Sequence, residues 1–552
     1  MFPVKNRDIK KKDAEQEYRQ LFHDFCDSLG QLYHRKENVE LWSLHFDSLL
    51  KTYTSHIPAA RTGMVVHDVS LYDHCRTTAA LAASLYLYHS SKDDLNKSSI
   101  LDGHTEKLLL VSGDFYGIQD FIFSAGGEMR HHRSKILRGR SFAVSLFTEL
   151  AADMLCREIG LPFLAVIMNA AGKFHLIAPN TQDAMRAINS TETQINDWLF
   201  DISCGQSTMG ITATPAATDE FTGSSFKALW QKHMSNMESR KCSRLDLNRY
   251  GGVVSGYLDR FNNELNSRLC PLCGKRPSSK EAENDKIIYR DTKGSACKIC
   301  RDHVMLGTHL VKNKMLAVLD ASSAPTNRTR LLCPIFDKYQ VIFTDNPLEK
   351  EAAEKRLFKL WSINIDKDGT IPTGASAMLL NGYVPLYGPE DEHDDRLLSG
   401  KRSQEKTEEM IDLIKDKTPK TFAHIAAKAL FVEVRDDDST ELKGTEAIGV
   451  FKADIDNLGA IFGCGLADNR FTISRIATLS RQLNNFFTVY LPHFLSTETA
   501  FQDVYTVFAG GDDLFLIGPW NRMAELALHL QDQFHNYVCK NDDIHFSAGI
   551  TV

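Results

Sequence analysis

Val504-Tyr505-Thr506-Val507-Phe508-Ala509-Gly510-Gly511-Asp512-Asp513-Leu514-Phe515-Leu516-Ile517-Gly518 decides how this chain is read. Two short apolar runs flank a Gly-Gly-Asp-Asp tip, the pattern of strand, tight turn and strand. Gly510 and Gly511 let the backbone turn sharply and let a bulky anion approach closely. Paired carboxylates at such a turn hold hard divalent cations such as Mg²⁺, together with substrate phosphates. A surface hairpin that uses Gly and Asp only for turn chemistry would share this local sequence. The surroundings decide between the two.

Upstream, Ala447-Ile448-Gly449-Val450-Phe451-Lys452-Ala453-Asp454-Ile455-Asp456-Asn457-Leu458-Gly459 reads as a buried strand ending in acids and a turn. Ile473 to Tyr490 carries apolar residues at helical spacing (Ile476, Leu479, Leu483, Phe486, Phe487). After the hairpin come a second helical stretch, Arg522 to Val538, and a strand, Ile544 to Val552. The order β-α-β-β-α-β is the ferredoxin-like arrangement, in which the first strand lies beside the central hairpin. Asp454 is therefore expected next to Asp512 and Asp513. Three converging carboxylates repel one another unless a cation joins them. The segment predicts metal-dependent phosphoryl chemistry.

The rest of the chain frames this unit. A length of 552 residues exceeds one core and predicts three or four domains. The apolar fraction of 43% and charged fraction of 24% are those of an ordinary soluble protein. No run of apolar residues is long enough for a transmembrane helix, and the N-terminus lacks a signal-peptide core. No membrane association and a cytoplasmic location are expected. A net charge of −7 means that nucleic acid would be met through local patches or partner subunits.

Four of the twelve cysteines form two C-x₂-C pairs, Cys270/Cys273 and Cys297/Cys300. Two turn-borne thiolate pairs supply the four ligands of a structural Zn²⁺ site. A pair of redox motifs is the alternative. A closed Cys₄ site has no open position, so its role is assigned to folding. The other eight cysteines are scattered and are expected to be reduced core residues.

The first half repeats the pattern. Lys107 to Gly117 is a strand ending in Asp114 and a glycine turn, and a helical run covers Phe142 to Glu158. Phe163 to Asn180 reads as strand, turn and strand. A helix from Thr181 to about Phe200 and a strand near Met209–Ala213 complete a second β-α-β-β-α-β unit. Its turn, Asn169-Ala170-Ala171-Gly172-Lys173, lacks the acid pair. It can cradle a phosphate or base but not ligate metal in the same way. A face-to-face pair with nucleotides between is expected. In the middle, Asn313–Asp320 and Tyr339–Phe343 read as strands and Glu349 to Leu360 as a helix. The charged run from Glu390 to Lys420 reads as an exposed loop and solvated helix.

Together these segments resemble the large, polymerase-like subunit of type III CRISPR effector complexes, most of all the Csm (III-A) form. The resemblance covers nearly the whole chain. It rests on Asp68 to Tyr86, Gly113-Asp114-Phe115-Tyr116-Gly117, Leu137-Arg138-Gly139-Arg140, the Cys₄ module, Asp454-Ile455-Asp456-Asn457-Leu458-Gly459 and the Gly-Gly-Asp-Asp hairpin. It implies an α+β multidomain protein with two ferredoxin-like palm domains, a Cys₄ zinc module and a helical, HD-like N-terminal region. The expected boundaries are 1–100 (shortened or degenerate HD-like), 101–235 (first, degenerate palm), 236–440 (linker domain with zinc ribbon) and 441–552 (second palm).

The resemblance further implies that ATP binds between the palms. Cyclic oligoadenylate would form once guide (crRNA) and target RNA pair within a multisubunit complex of other Csm-type subunits. Asp454, Asp512 and Asp513 would be catalytic and would hold Mg²⁺ or Mn²⁺. Gly510 and Gly511 would admit the phosphates, and Asn169, Gly172 and Lys173 would line the acceptor or adenine side. Ser547 would touch a ribose. Many family members also begin with a single-stranded DNA nuclease domain bearing a His-Asp pair followed by Gly-Lys. Here His23-Asp24 and His67-Asp68 lack that continuation, which counts against single-stranded DNA cleavage but leaves it among the readings. The family continues past the palm into a helical domain that contacts a small helical subunit, whereas this sequence stops at the palm's last strand. That domain is expected as a separate piece, or this chain as a fragment. A diguanylate-cyclase-like enzyme and a catalytically silent crRNA-binding scaffold are the competing readings.

Overall fold

The computed structural model describes residues 11–60, 66–124, 132–170, 172–250, 268–289, 294–322, 329–363, 370–380, 382–398, 414, 418–434, 440–511 and 513–552. Helices Lys11–Gly30, Val39–Thr54 and Leu71–Ser91 open the chain. Strand β1 (Leu108–Tyr116), helix Arg133–Ile159, β2 (Val166–Ala170), β3 (Lys173–Pro179), helix Gln182–Ser203 and β4 (Thr208–Ala216) follow. The sheet order β2-β3-β1-β4 is the expected ferredoxin-like one. Thr181 starts the second helix by accepting the Ala184 N–H on its hydroxyl. Phe163–Ala165, expected as strand, is a 3₁₀ turn, so β2 begins later.

Helix Ser225–Lys241 then packs across β4 and β1. Helix Lys298–His309 crosses helix Arg133–Ile159 at Gly139 and Gly307. A Cβ at either glycine would overlap a backbone carbonyl of the other helix, so only glycine allows this close approach. β5 (Met315–Asp320), β6 (Tyr339–Thr344), β7 (Leu357–Ser362) and β8 (Ser376–Ala377) form a third sheet, in order β6-β5-β7-β8. The helix expected over Glu349–Leu360 ends at Ala353, and Leu357–Ser362 is strand β7. Its polar Lys359 is buried, 3.3 Å from Asp153 and 3.2 Å from Glu149, which satisfies the charge inside a sheet.

A short hairpin, β9 (Phe431–Val434) and β10 (Thr440–Lys443), leads to the last unit. β11 (Ile448–Ile455), helix Ile473–Asn485, β12 (Tyr505–Gly510), β13 (Asp513–Pro519), helix Trp520–Tyr537 and β14 (Phe546–Thr551) repeat the first unit, in order β12-β13-β11-β14. The helix before the hairpin runs on through a π turn at Phe486–Tyr490. Phe451, Phe486, Phe487, Leu516 and Phe534 form this unit's own core. A larger core joins the first unit, the cysteine module and the third sheet, and takes in Ala80 together with Phe471, Ile473, Ile476 and Ala477 of the last unit.

The charged run near Glu390 differs from expectation. Asp391 is fully buried and binds Lys420 at 2.9 Å and Lys428 at 2.6 Å, so this part of the run is an internal ion network. The eight remaining cysteines are free, as expected, but only Cys156 is buried.

Candidate active site

Register places the predicted acids. Asp454 on β11 lies directly opposite Asp513 on β13 and Ser547 on β14, and Gly510 on β12 lies opposite Asp513. One row, Gly510–Asp513–Asp454–Ser547, therefore crosses all four strands at the sheet's edge. Side chains directly opposite on antiparallel strands stand about 5 Å apart, and like charges there are destabilising. The Asp454/Asp513 pair is thus suited to a divalent cation. Asp512 lies outside the described residues.

Gly511 turns the hairpin with φ of +68°, a conformation glycine adopts freely. Its N–H donates to Asn484 Oδ1 at 3.2 Å, so the last turn of helix Ile473–Asn485 holds the acidic tip. A Cβ at Gly510 would meet nothing within 4 Å, leaving open space above the row. Ser547 donates its hydroxyl proton to Asp456 at 2.8 Å, and His545 Nε2 lies 3.5 Å from the same carboxylate oxygen. The hydroxyl expected to face a ribose is spent on Asp456. Asp456 itself, two residues past Asp454, is a site acid that the Asp-x-Asp spacing signals and that the metal set above omits.

The first unit carries the same row with different chemistry. Asp114 on β1 lies opposite Lys173 on β3 and Gly210 on β4, and Ala170 lies opposite Lys173. Lys173 occupies the position of Asp513. Its Nζ is 3.9 Å from Asp114, and Lys241 Nζ approaches the same carboxylate at 4.0 Å. Burial pushes the Asp114 carboxyl up, and the two ammonium groups pull it back. Where the second unit sets acid against acid, the first sets acid against cation and needs no metal. Gly172 forms the turn at φ +77°, and Asn169 donates its side-chain N–H to Glu149.

A cavity of about 540 Å³ separates the two rows. Lys173, Lys241 and Arg244 line one wall, and Gly511 and Asp513 the other. Two further cavities, of about 290 and 720 Å³, adjoin the same tips at Gly172 and Gly510. Lys241 and Arg244 were not foreseen; they arrive on and just after helix Ser225–Lys241, whose docking no local pattern announces.

The N-terminal acids are engaged elsewhere. Asp68 binds Arg475 at 2.8 Å, Asp73 binds Arg481 at 2.7 Å, and Asp24 accepts from Gln20 at 2.8 Å. The four cysteines of the C-x₂-C pairs do converge: all are buried, with ligand atoms within 4.8 Å of one another and Cys273 Sγ 4.0 Å from Cys297 Sγ. Tetrahedral Zn–S bonds of about 2.3 Å require sulfurs about 3.8 Å apart, so the set fits zinc. Among the described residues no other cluster of this kind occurs.

Two four-stranded sheets of like order, with an acidic hairpin on one, define a mixed α/β protein of several units. The family model for Csm1 subunit domain B matches residues 107–251, and that for the second palm domain of Cas10/Cmr2 matches residues 447–552. The chain is similar to the Cas10/Csm1 large subunits of type III-A CRISPR complexes. It is 27% identical, over 97% of its length, to the single-strand-specific deoxyribonuclease Cas10/Csm1 of Methanocaldococcus jannaschii. It is 26% identical, over 98%, to the protein of the same description from Enterococcus italicus. The chain spans 66% and 63% of those relatives. A Csm1–Csm4 cassette solved with one ATP shares the fold, with a TM-score of 0.65 at 20% identity over 97% of this chain and 61% of that one. No described helix is long and apolar enough to cross a membrane.

Proposed function

We propose that this chain converts ATP to cyclic oligoadenylate as the palm subunit of an RNA-guided type III-A complex, switched on by target RNA. The observation that carries the reading is Asp513, paired in register with Asp454, facing Lys173, Lys241 and Arg244 across one cavity. Asp513 on one wall and, on the other, three cations that outnumber Asp114 and Asp120 match a nucleoside triphosphate with its metal. Csm1–Csm4 cassettes solved with cA3, cA4 and ATP support the same substrate class.

Asp454 and Asp513, with Asp512 beside them in sequence, would hold Mg²⁺ or Mn²⁺. Bound there, the ion would lower the pKa of an attacking 3′-hydroxyl and neutralise charge on the leaving pyrophosphate. The protein's own part is positional. Lys173, Lys241 and Arg244 draw in and orient the triphosphate from the first palm. Asn484 fixes the Gly511 turn, and the open face of Gly510 lets a phosphate sit against the backbone. Cys270, Cys273, Cys297 and Cys300 would hold a structural Zn²⁺ that braces the linker domain against the first palm. Guide RNA, target RNA and other Csm-type subunits are the proposed partners. Asp68, one of the acids of the His-Asp pairs, is held by Arg475 at 2.8 Å, which speaks against a nuclease role for that pair.

The assembled complex should be incubated with labelled ATP, Mg²⁺ and matched target RNA, and the product weighed by mass spectrometry. Asp512→Ala combined with Asp513→Ala is expected to abolish product while guide-RNA complex assembly persists. Undiminished product from that double variant would sink the assignment. GTP in place of ATP tests the diguanylate-cyclase reading directly.

A further inference from the structure

The first-palm wall of the cavity contains a chain of buried polar groups that metal and phosphate binding leave unexplained. Ser112, opposite His175 in the β1–β3 register, bonds both His175 Nδ1 and, at 2.6 Å, His233 Nε2. His233 Nδ1 meets Thr214 Oγ1 at 2.8 Å, and Asn236 Nδ2 donates to the same oxygen at 3.0 Å. Ser112, Thr214 and His233 are fully buried.

Proton counting sets the direction of this chain. Thr214 accepts from Asn236, and its single hydroxyl proton has no acceptor among the described residues except His233 Nδ1. His233 then carries its proton on Nε2 and donates to Ser112. The Ser112 hydroxyl proton is left to donate to His175 Nδ1. A neutral imidazole that accepts at Nδ1 carries its proton on Nε2. Burial, with His233 and Lys173 nearby, holds His175 neutral by lowering its pKa to about 3. Its Nε2 has no protein partner among the described residues, and His175 lines the cavity.

The surroundings suit a flat base. Trp230 lies 5.3 Å from the His175 ring, centroid to centroid, and Met168, Met234, Met237 and Phe508 line the same space. Lys173, two residues before His175, stands on the phosphate side.

We propose that this wall is a purine subsite in which the His175 Nε2–H donates to N1 of adenine, selecting ATP over GTP. The inference rests on the nucleotide reading above and names the residue that gives it base specificity. Adenine offers an acceptor at N1, whereas guanine offers N1–H, so guanine would set donor against donor. A site built to satisfy one hydrogen-bonding pattern rejects its complement far better than a merely apolar pocket can.

The test compares ATP, GTP and 1-deaza-ATP, which lacks N1, as substrates of the assembled complex with target RNA. For the native chain, 1-deaza-ATP is expected to lose ~10-fold in kcat/KM, chiefly through KM, the size of one neutral hydrogen bond. GTP is expected to fall about 100-fold or more below ATP. His175→Ala should lose ~10-fold with ATP and nothing further with 1-deaza-ATP. Thr214→Val, which keeps His175 but removes the anchor of the chain, should narrow the ATP-to-GTP ratio. Equal use of ATP and 1-deaza-ATP by the native chain overturns the inference without needing any variant. So does a His175→Ala loss that adds to the 1-deaza loss. If the native complex turns over no ATP at all, the nucleotide reading falls and takes this one with it.

Discussion

The Asp73 carboxylate and the Arg481 guanidinium meet at 2.7 Å across 408 positions of chain, both nearly buried. Asp73 also accepts from Ser70 at 2.7 Å and Thr478 at 2.8 Å, and Arg481 donates to the Ser55 carbonyl at 3.2 Å. The N-terminal helices are thus fastened to the second palm by buried polar groups in addition to the apolar packing of Ala80 with Ile473, Ile476 and Ala477. Three residues beyond Arg481, Asn484 holds the Gly511 turn. One helix, Ile473–Asn485, carries both contacts.

Asp73→Ala leaves the Arg481 guanidinium buried without its partner, and stability is expected to fall by about 3 kcal/mol in urea unfolding. Adding Arg481→Leu should recover much of that loss, because the stranded charge goes too. A single variant as stable as the native chain would show that the joint contributes nothing.

The two ferredoxin-like units differ by charge at one register position, Lys173 against Asp513. Asp513→Lys should copy the first unit's acid–cation pair at Asp454, raising metal-free stability by about 0.5–1 kcal/mol. The same change should abolish Mn²⁺ binding, read by titration calorimetry, and the Mg²⁺-induced rise in thermal midpoint expected of the native chain. Retained Mn²⁺ binding would exclude Asp513 as a ligand.

Elemental analysis of the purified chain should find one zinc ion, lost in Cys297→Ser. Stripping it with a strong chelator should expose the face of helix Lys298–His309 that packs on helix Arg133–Ile159, read as faster amide exchange in both. Unchanged exchange after metal removal would contradict a bracing role.

Acid should destabilise the protein well above the carboxylate range. Burial, with His34 alongside, lowers the pKa of His45 to about 3, and burial lowers that of His233 to about 4. Both are neutral in the folded chain. Below about pH 6.5 the unfolded chain binds protons that the folded chain refuses, so stability falls as pH drops from 6.5 toward those values. Each contributes about 1.4 kcal/mol per pH unit in that window. Urea midpoints at pH 7.5 and pH 5 measure the slope, which His45→Gln should flatten.

The Asp454/Asp513 apposition was legible because β-strand periodicity and a two-strand turn fix register locally. Both doubled sheets followed from the same rule. What escaped depended on distant partners. Leu357–Ser362 passed for helix because Lys359 breaks the apolar run, and only Asp153 and Glu149 make that lysine a buried residue. Lys241 and Arg244 sit on or beside a helix whose placement depends on tertiary packing alone. Asp73 reads as the first-turn acid of a helix, and nothing near it in sequence points to Arg481. The Ser112 chain joins three strands and a helix, so no window of sequence contains it.

The row Gly510–Asp513–Asp454–Ser547 has a bearing on how this protein can change over generations. Its geometry is set by which residue faces which across the ladder, and neighbouring positions on a strand point to opposite sides. Substitutions along β12 and β13 can therefore be absorbed one at a time. A single inserted or deleted residue between Leu514 and Pro519 cannot, since it would shift the β11–β13 pairing and turn Asp513 away from Asp454. Strand β13 is free to drift in composition and forbidden to drift in length, whereas β12 already carries a bulge between Thr506 and Phe508.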